Sequence, residues 1–331
     1  MKENKVRWGI LGCGKIARKF AEDLSLSSSG YLVSCASRSL SRAEDFARNY
    51  NAEKVYHDYP SLVSDPDVDV IYVATPHSMH YENTLLCLEN GKHVLVEKPA
   101  AVYAGQFEIM SKLASHRGCL LMEAMWTAFL PVIATVKEWT EKGKIGQIRH
   151  MDADFGFTSH FDPESRLYDP NLAGGSLLDI GIYPLFMAIH LLGKPQKIQS
   201  AVSHAKSGVD DECTVLLSYE GGATASTYSS LKVHSDTKCE IYGTKGKITI
   251  PGRFHEQDHF FITNENGEST RVDCGKTGRG YFHEAEHVNN LILNNLTESN
   301  IMPHRLTKTL LEVMDEVRKQ NSIRYPFEKE E

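Results

Sequence analysis

Three groups of residues in this chain have types and spacings that could do chemistry together. The first is Gly12-Cys13-Gly14-Lys15-Ile16-Ala17, directly after the apolar run Val6 to Leu11. A G-x-G-x-x-A run between a strand and a helix lets the backbone approach a pyrophosphate held at the helix N-terminus, where unpaired N–H groups favour an anion. Gly12, Gly14, Ile16 and Ala17 shape that turn, and Lys15 is expected to face solvent, only loosely associated with phosphate. The second group is the apolar run Val94 to Val96 ending in Glu97-Lys98-Pro99. If a later parallel strand leaves the same sheet here, Glu97 and Lys98 fall beside the cofactor crevice, and Lys98 brings an ammonium to it. The third, Gly174-Gly175-Ser176, opens a helical pattern carrying Asp179 and Tyr183 at i and i+4, on one face.

Together these groups suit redox chemistry with a nicotinamide dinucleotide. Hydride transfer from an alcohol needs an acceptor for the hydroxyl proton, and a free phenol with a pKa of about 10 is a poor base at neutral pH. A neighbouring ammonium favours the phenolate. Tyr183 is therefore the expected acid/base, Lys98 its activator and Asp179 the carboxylate that completes the catalytic set. A core tyrosine with a satisfied hydroxyl is the simpler account of Tyr183 taken alone; its company outweighs that account.

The end of the second strand bears on the cofactor. Asp or Glu there binds a ribose 2′-hydroxyl, whereas Arg accommodates a 2′-phosphate. Here the strand ends Cys35-Ala36-Ser37-Arg38-Ser39, with Arg42 one turn on and no acid at the position. Ser37 and Ser39 can hydrogen-bond phosphate oxygens, and Arg38 can pair with them or stack on adenine. NADP is expected, with NAD as the alternative. Solvation of a surface loop is the competing account of Arg38 and Arg42.

The elements that must position these groups follow from periodicity. Up to about residue 124, short apolar runs (Val6 to Leu11, Tyr31 to Ala36, Lys54 to Tyr56, Val70 to Ala74, His93 to Glu97, Cys119 to Glu123) alternate with helical patterns. That is the mark of a doubly wound parallel sheet of the Rossmann kind. Later come helical patterns over 129–142 and 175–192, a strand over 148–155, and period-two runs over 198–204, 213–219, 223–233 and 238–242. These predict an α+β domain with a large, mostly antiparallel open sheet. We expect residues 1–124 to form the dinucleotide-binding domain and 125–331 the substrate-binding and dimerisation domain, with an amphipathic C-terminal helix over 307–319 able to pack back on the first. The small polar side of Ala223 to Ser230 suits a flat sheet face packing on a copy of itself, so a homodimer through this sheet, or a higher oligomer, is expected.

Composition narrows the partners. At 331 residues with 41% apolar and 24% charged residues, the chain fits an ordinary globular protein of two domains. A formal charge of −7 and no basic stripe argue against nucleic acid, leaving a small-molecule substrate. No apolar run is expected to approach the roughly 20 residues of a membrane helix, so no membrane partner is expected, and the location expected is cytoplasmic. Seven scattered cysteines with no C-x-x-C spacing read as reduced thiols, neither disulfide nor metal ligands.

Gly12 to Ala17, Ala74-Thr75-Pro76-His77-Ser78-Met79-His80, Glu97-Lys98-Pro99 and Gly174 to Tyr183 resemble the glucose-fructose oxidoreductase and inositol dehydrogenase (Gfo/Idh/MocA) family over essentially the whole chain. Tyr183, where many members carry histidine, together with Met122 to Thr127, Asp154-Phe155-Gly156 and Gly208-Val209-Asp210-Asp211, is most similar to the branch of dimeric dihydrodiol and D-xylose dehydrogenases. The resemblance implies NADP-dependent oxidation of a trans-dihydrodiol or cyclic aldose, with Lys98 and Tyr183 as the catalytic pair. It also implies a cis peptide before Pro99, cofactor contacts from Thr75, His77 and His80, and substrate contacts from Trp126 and Phe155. The chain departs from the animal enzymes of that branch at Met125 and Ala128, which flank Trp126-Thr127.

Two rival readings remain. His283-Glu284-Ala285-Glu286-His287 matches H-E-x-x-H and would make a zinc hydrolase with Glu284 as general base, with Glu298 or His304 as candidate third ligand. The expected metal is nonetheless none, since that third ligand would have to come from a loop rich in Asn and Pro. A non-catalytic NADP-binding sensor would lack Lys98 or Tyr183, and both are present.

Overall fold

A computed structural model describes residues 5–328 of the chain. They divide into two compact units: residues 5–129 with 277–307, and residues 130–276 with 308–328.

The first unit is built on a six-stranded parallel sheet. Its strands are β1 (Val6–Leu11), β2 (Gly30–Ala36), β3 (Lys54–Tyr56), β4 (Val70–Val73), β5 (His93–Glu97) and β6 (Leu121–Ala124), in the order β3-β2-β1-β4-β5-β6. Between them run α1 (Lys15–Leu24), α2 (Leu40–Tyr50), α3 (Tyr59–Val63), α4 (His80–Glu89) and α5 (Ala104–Arg117). Parallel strands covered on both faces read as unbroken apolar runs, and every residue of β4 and β6 is buried. Trp8, Phe20 and Tyr72 form the aromatic centre of this core, with Phe20 stacked on Tyr72 at 4.0 Å. The order reverses between β1 and β4, the switch point at which such sheets bind ligands.

The second unit holds α6 (Pro131–Glu141), β7 (Ile148–Gly156), a π-helical turn at Leu177–Gly181 that runs into α7 (Ile182–Leu192), and seven further strands. These are β8 (Lys197–His204), β9 (Asp210–Ser218), β10 (Thr224–Ser230), β11 (Cys239–Gly243), β12 (Gly246–Ile250), β13 (His259–Asn264) and β14 (Ser269–Asp273). The sheet runs β14-β13-β12-β11-β7-β10-β9-β8 and is antiparallel except between β7 and β10. Along β10 the burial alternates as far as Ser229: Ala225, Thr227 and Ser229 are buried and Thr224, Ser226 and Tyr228 more exposed, while Ser230 at the strand end is buried as well. Contrary to the expectation that no apolar stretch reaches membrane length, the segment Pro170–Leu192 has the length and composition to cross a membrane, although Gly174, Gly175 and Asp179 interrupt its apolar residues. It is buried inside this unit as a core helix.

Two expectations about the C-terminal half change. α8 (Tyr281–Leu293) belongs to the first unit, so the second is not continuous from residue 125. The cause is polar as well as apolar: the Asp23 carboxylate of α1 accepts the N–H groups of Arg279 (2.9 Å) and Phe282 (3.1 Å), capping α8 from a distant element. The Trp8 indole then donates to Asn289 at 2.8 Å. Conversely, residues 308–328, most of α9 (His304–Gln320) included, group with the second unit and not the first. There Gln320 donates to the Ile198 carbonyl, Asn321 to Ser200, and Lys194 pairs with Glu312.

Candidate active site

In the first unit the glycine turn has the shape a dinucleotide requires. Gly12 sits at φ +100°, and a Cβ there would lie 2.8 Å from the Ala74 carbonyl oxygen. Gly14 begins α1 with open space where a Cβ would be, no side chain caps the helix, and no acid occupies its first turn. The first intrahelical bond is Arg18 N–H to Gly14 O, so the N–H groups before it are left for an anion. Lys15 is exposed, Ile16 half-buried and Ala17 buried. The residues present therefore fit a bound pyrophosphate.

After β2, Ser37 and Ser39 are half-buried and Arg38 and Arg42 exposed, with no acid at the strand end. Among the described residues neither arginine forms an ion pair. Arg38 lies beside the Tyr59 hydroxyl, where its charge opposes the upward push of burial on that phenol. Thr75 is buried and accepts from the Asn83 amide at 3.1 Å, and His77 is half-buried on the following turn.

The turn that carries Lys98 is held from inside the sheet. Lys98-Pro99 is a cis peptide. Glu97 is turned inward: Oε1 accepts from the Tyr72 hydroxyl and Oε2 from the Lys98 backbone N–H. His80, expected to touch the cofactor, is fully buried, with Nδ1 2.7 Å from the Pro99 carbonyl and Nε2 2.8 Å from the Thr75 carbonyl. Each ring nitrogen faces a backbone carbonyl, the single N–H of the neutral ring donating to one of the two, and His80 packs between the two loops. Burial pushes the imidazole down to about 4. Glu123 of β6 completes the brace by accepting the Ala100 N–H at 2.8 Å. Trp126 is 4% exposed and stacks on Tyr281 at 4.7 Å.

In the second unit the helix start is irregular where the chemistry is expected. Asp179 lies within the π-helical turn and Tyr183 at the head of α7, and both are buried. π-Bulges of this kind concentrate at functional sites. Arg166, which the sequence reading missed, binds Asp179 with two nitrogens, at 2.7 and 3.3 Å. The Tyr183 ring packs against Phe155 of β7 (5.7 Å) and His255 (5.2 Å), and those two stack on each other at 4.4 Å. His255 was also missed, since it sits in a loop with no motif around it. What this wall presents is a phenol, an ion-paired carboxylate and two flat rings.

Residues 6–125 match the family model described as oxidoreductase family, NAD-binding Rossmann fold, and residues 133–249 match that of the GFO/IDH/MocA C-terminal domain. The chain belongs to the Gfo/Idh/MocA oxidoreductase family. It is 37% identical to trans-1,2-dihydrobenzene-1,2-diol dehydrogenase of Mus musculus over 98% of this chain and 99% of the mouse protein. The Homo sapiens protein of the same name is 34% identical, with the same coverage. A 3-ketoreductase from Actinomadura kijaniata, solved with NADP and TDP-benzene, superposes with a TM-score of 0.87 at 26% identity, over 96% of this chain and 98% of that one. An aldose-aldose oxidoreductase from Caulobacter crescentus, complexed with glycerol, gives 0.87 at 26% identity over 95% and 97%. This Gfo/Idh/MocA member is an NAD(P)-dependent dehydrogenase acting on CH–OH groups.

The hydrolase alternative gives way on geometry as well as on family. His283 accepts the Thr277 N–H and His287 contacts Ser299, while Glu284, one residue round the helix, points into the core. Neither Glu284 oxygen has a hydrogen-bond partner among the described residues, and burial with repulsion from Glu97 and Asp23 pushes its carboxyl well above the ordinary range. An acid buried in the core, with its pKa pushed up by that burial, is not placed to act as general base for a metal-bound water.

Glu123 makes the brace sensitive to pH. Burial pushes its carboxyl up to about 7 from 4.5, so the folded chain holds a proton that the unfolded chain has released. Stability from this residue is therefore full below about pH 4.5 and falls as pH rises towards 7, by on the order of 3 kcal/mol in all. Urea unfolding of Glu123→Gln across pH 4.5 to 7.5 should lack that decline relative to the parent; parallel curves would contradict the assignment.

Proposed function

We propose that this protein is an NADP-dependent oxidoreductase that transfers a hydride between nicotinamide and a secondary alcohol of a cyclic polyol, aldose or trans-dihydrodiol. Tyr183 acts as acid/base and Lys98 as its activator. The observation that carries this reading is the irregular helix start, which offers the Tyr183 phenol together with an Arg166-bound Asp179.

Bound nicotinamide supplies the hydride acceptor or donor. The chain supplies the proton handling and the orientation. Tyr183 takes the hydroxyl proton, and the ammonium of Lys98 favours the phenolate that can do so. Asp179, fixed by two bonds from Arg166, accepts a hydrogen bond from a second hydroxyl, and Phe155, backed by the buried His255 ring stacked on it, packs against the ring that bears them. Trp126 serves the substrate side less directly, being largely occupied with Tyr281. Thr75 and His77 serve the cofactor, while His80 and Glu97 support it through the Lys98 turn. The names of the relatives support both a diol and an aldose, and binding without turnover is the competing function.

The serine and arginine cluster at 37–42 favours the 2′-phosphate of NADP. Replacing Arg38 and Arg42 together by Ala should weaken NADP by about 10-fold or more, the scale of one or two charge-assisted hydrogen bonds, with NAD affinity changed less than about twofold. Equal losses for both nucleotides in fluorescence titration would contradict it.

Turnover is tested on a panel of aldoses and dihydrodiols with NADP. Tyr183→Phe should lower kcat by about 10² to 10⁴ while NADP affinity holds, and Lys98→Met should also lose most activity. Undiminished turnover in Tyr183→Phe would remove the proton-transfer role, and no NADPH formation by the parent on any member would favour the sensor.

The outward face of β10, with Thr224, Ser226 and Tyr228 beside the 51% exposed Leu216 of β9, supports a homodimer packed sheet to sheet, on which a higher oligomer could be built. Placing Glu at Ser226 should halve the sedimentation mass of the parent. An unchanged mass would count against this face.

A further inference from the structure

Asp210, the first residue of β9, is fully buried and lies against the start of the helix that carries Asp179 and Tyr183. Its Oδ2 accepts the Leu177 backbone N–H and the Ser176 hydroxyl, each at 2.7 Å. Ser176 in turn contacts the Ser229 hydroxyl of β10 at 3.1 Å. Oδ1 points at Gly175: a Cβ on that residue, whose φ is +123°, would come within 2.3 Å of it. Gly175 therefore leaves the room in which a carboxyl group from β9 caps this helix, while a Cβ on Gly174 would instead meet the Leu167 carbonyl oxygen at 2.7 Å. Gly181 repeats the device one turn later, where a Cβ would lie 2.8 Å from Ser229 Oγ. The helix itself supplies no side-chain cap at Ser176.

We propose that Asp210 is a positioning residue for Tyr183, fixing the axial position of the helix on its sheet and so the place of the phenol. The inference rests on the reading of Tyr183 as acid/base. Because the acid comes from the sheet and not from the preceding loop, it couples the helix start to a rigid element. A displacement of about 1 Å of a reacting group costs up to about 100-fold in rate.

The test uses the full-length protein, NADP, and the best substrate of the aldose and dihydrodiol panel. Asp210→Ala should lower kcat by about 10- to 100-fold with the KM for NADP changed less than about twofold. Asp210→Asn, whose amide oxygen can still accept both donors, should restore kcat to within about threefold of the parent. Added to Tyr183→Phe, Asp210→Ala should cause no further loss, since it acts through the phenol. If Asp210→Ala does not fold, Ser176→Ala, which removes one of the two donors, should show the same selective fall in kcat to a smaller degree.

Parental kcat in folded Asp210→Ala or, failing that, in Ser176→Ala would overturn the inference. So would an undiminished further loss in the Tyr183→Phe background, or failure of Asp210→Asn to rescue. Any of these with Tyr183→Phe still inactive would leave the acid/base reading standing. An active Tyr183→Phe would overturn that reading and the inference with it.

Discussion

An α-helix begins with N–H groups that its own carbonyls cannot reach, and this chain answers that shortage in two opposite ways. At α1 it provides no side-chain cap and no acid, only glycines, so the shortage is left for a phosphate to fill. At Leu177 it brings in a buried carboxylate, Asp210, and the helix start becomes part of the sheet. The first arrangement makes a binding site and the second makes a fixed one.

Around Lys98 the same economy appears in buried ionisable groups. His80, Glu97 and Glu123 do not reach outward; they hold the backbone on either side of the cis Lys98-Pro99 bond. Burying such groups costs stability unless each finds a partner, and Glu123 illustrates the cost by carrying a proton into the folded state. What that cost secures is a turn whose lysine is placed by several independent bonds. The Arg166–Asp179 pair does the same for the carboxylate on the other unit.

Much of this was legible in the sequence where a function depends on residues close together in the chain. The G-x-G-x-x-A turn, the Lys98-Pro99 turn and the Asp179–Tyr183 spacing each stand at the expected strand or helix end. The parallel sheet was legible because unbroken apolar runs have few other uses. Directions were not legible. His80 falls at the crevice but turns inward, and the letters of H-E-x-x-H hide that Glu284 lies on the buried face. Arg166, His255, Asp210 and Glu123 reach their partners from distant segments, and no local pattern reports such a meeting. The return of 277–307 to the first unit was hidden for the same reason, since its cap, Asp23, lies more than two hundred residues away.

The proposed function has one ammonium and one phenol serve the same substrate oxygen. A crystal structure of the protein with NADP and a slow substrate or product measures this directly. The account predicts Lys98 Nζ and Tyr183 Oη each near the reacting oxygen, with Tyr183 within about 3.2 Å of it. A complex that turns over in the crystal with either group far from that oxygen would contradict it.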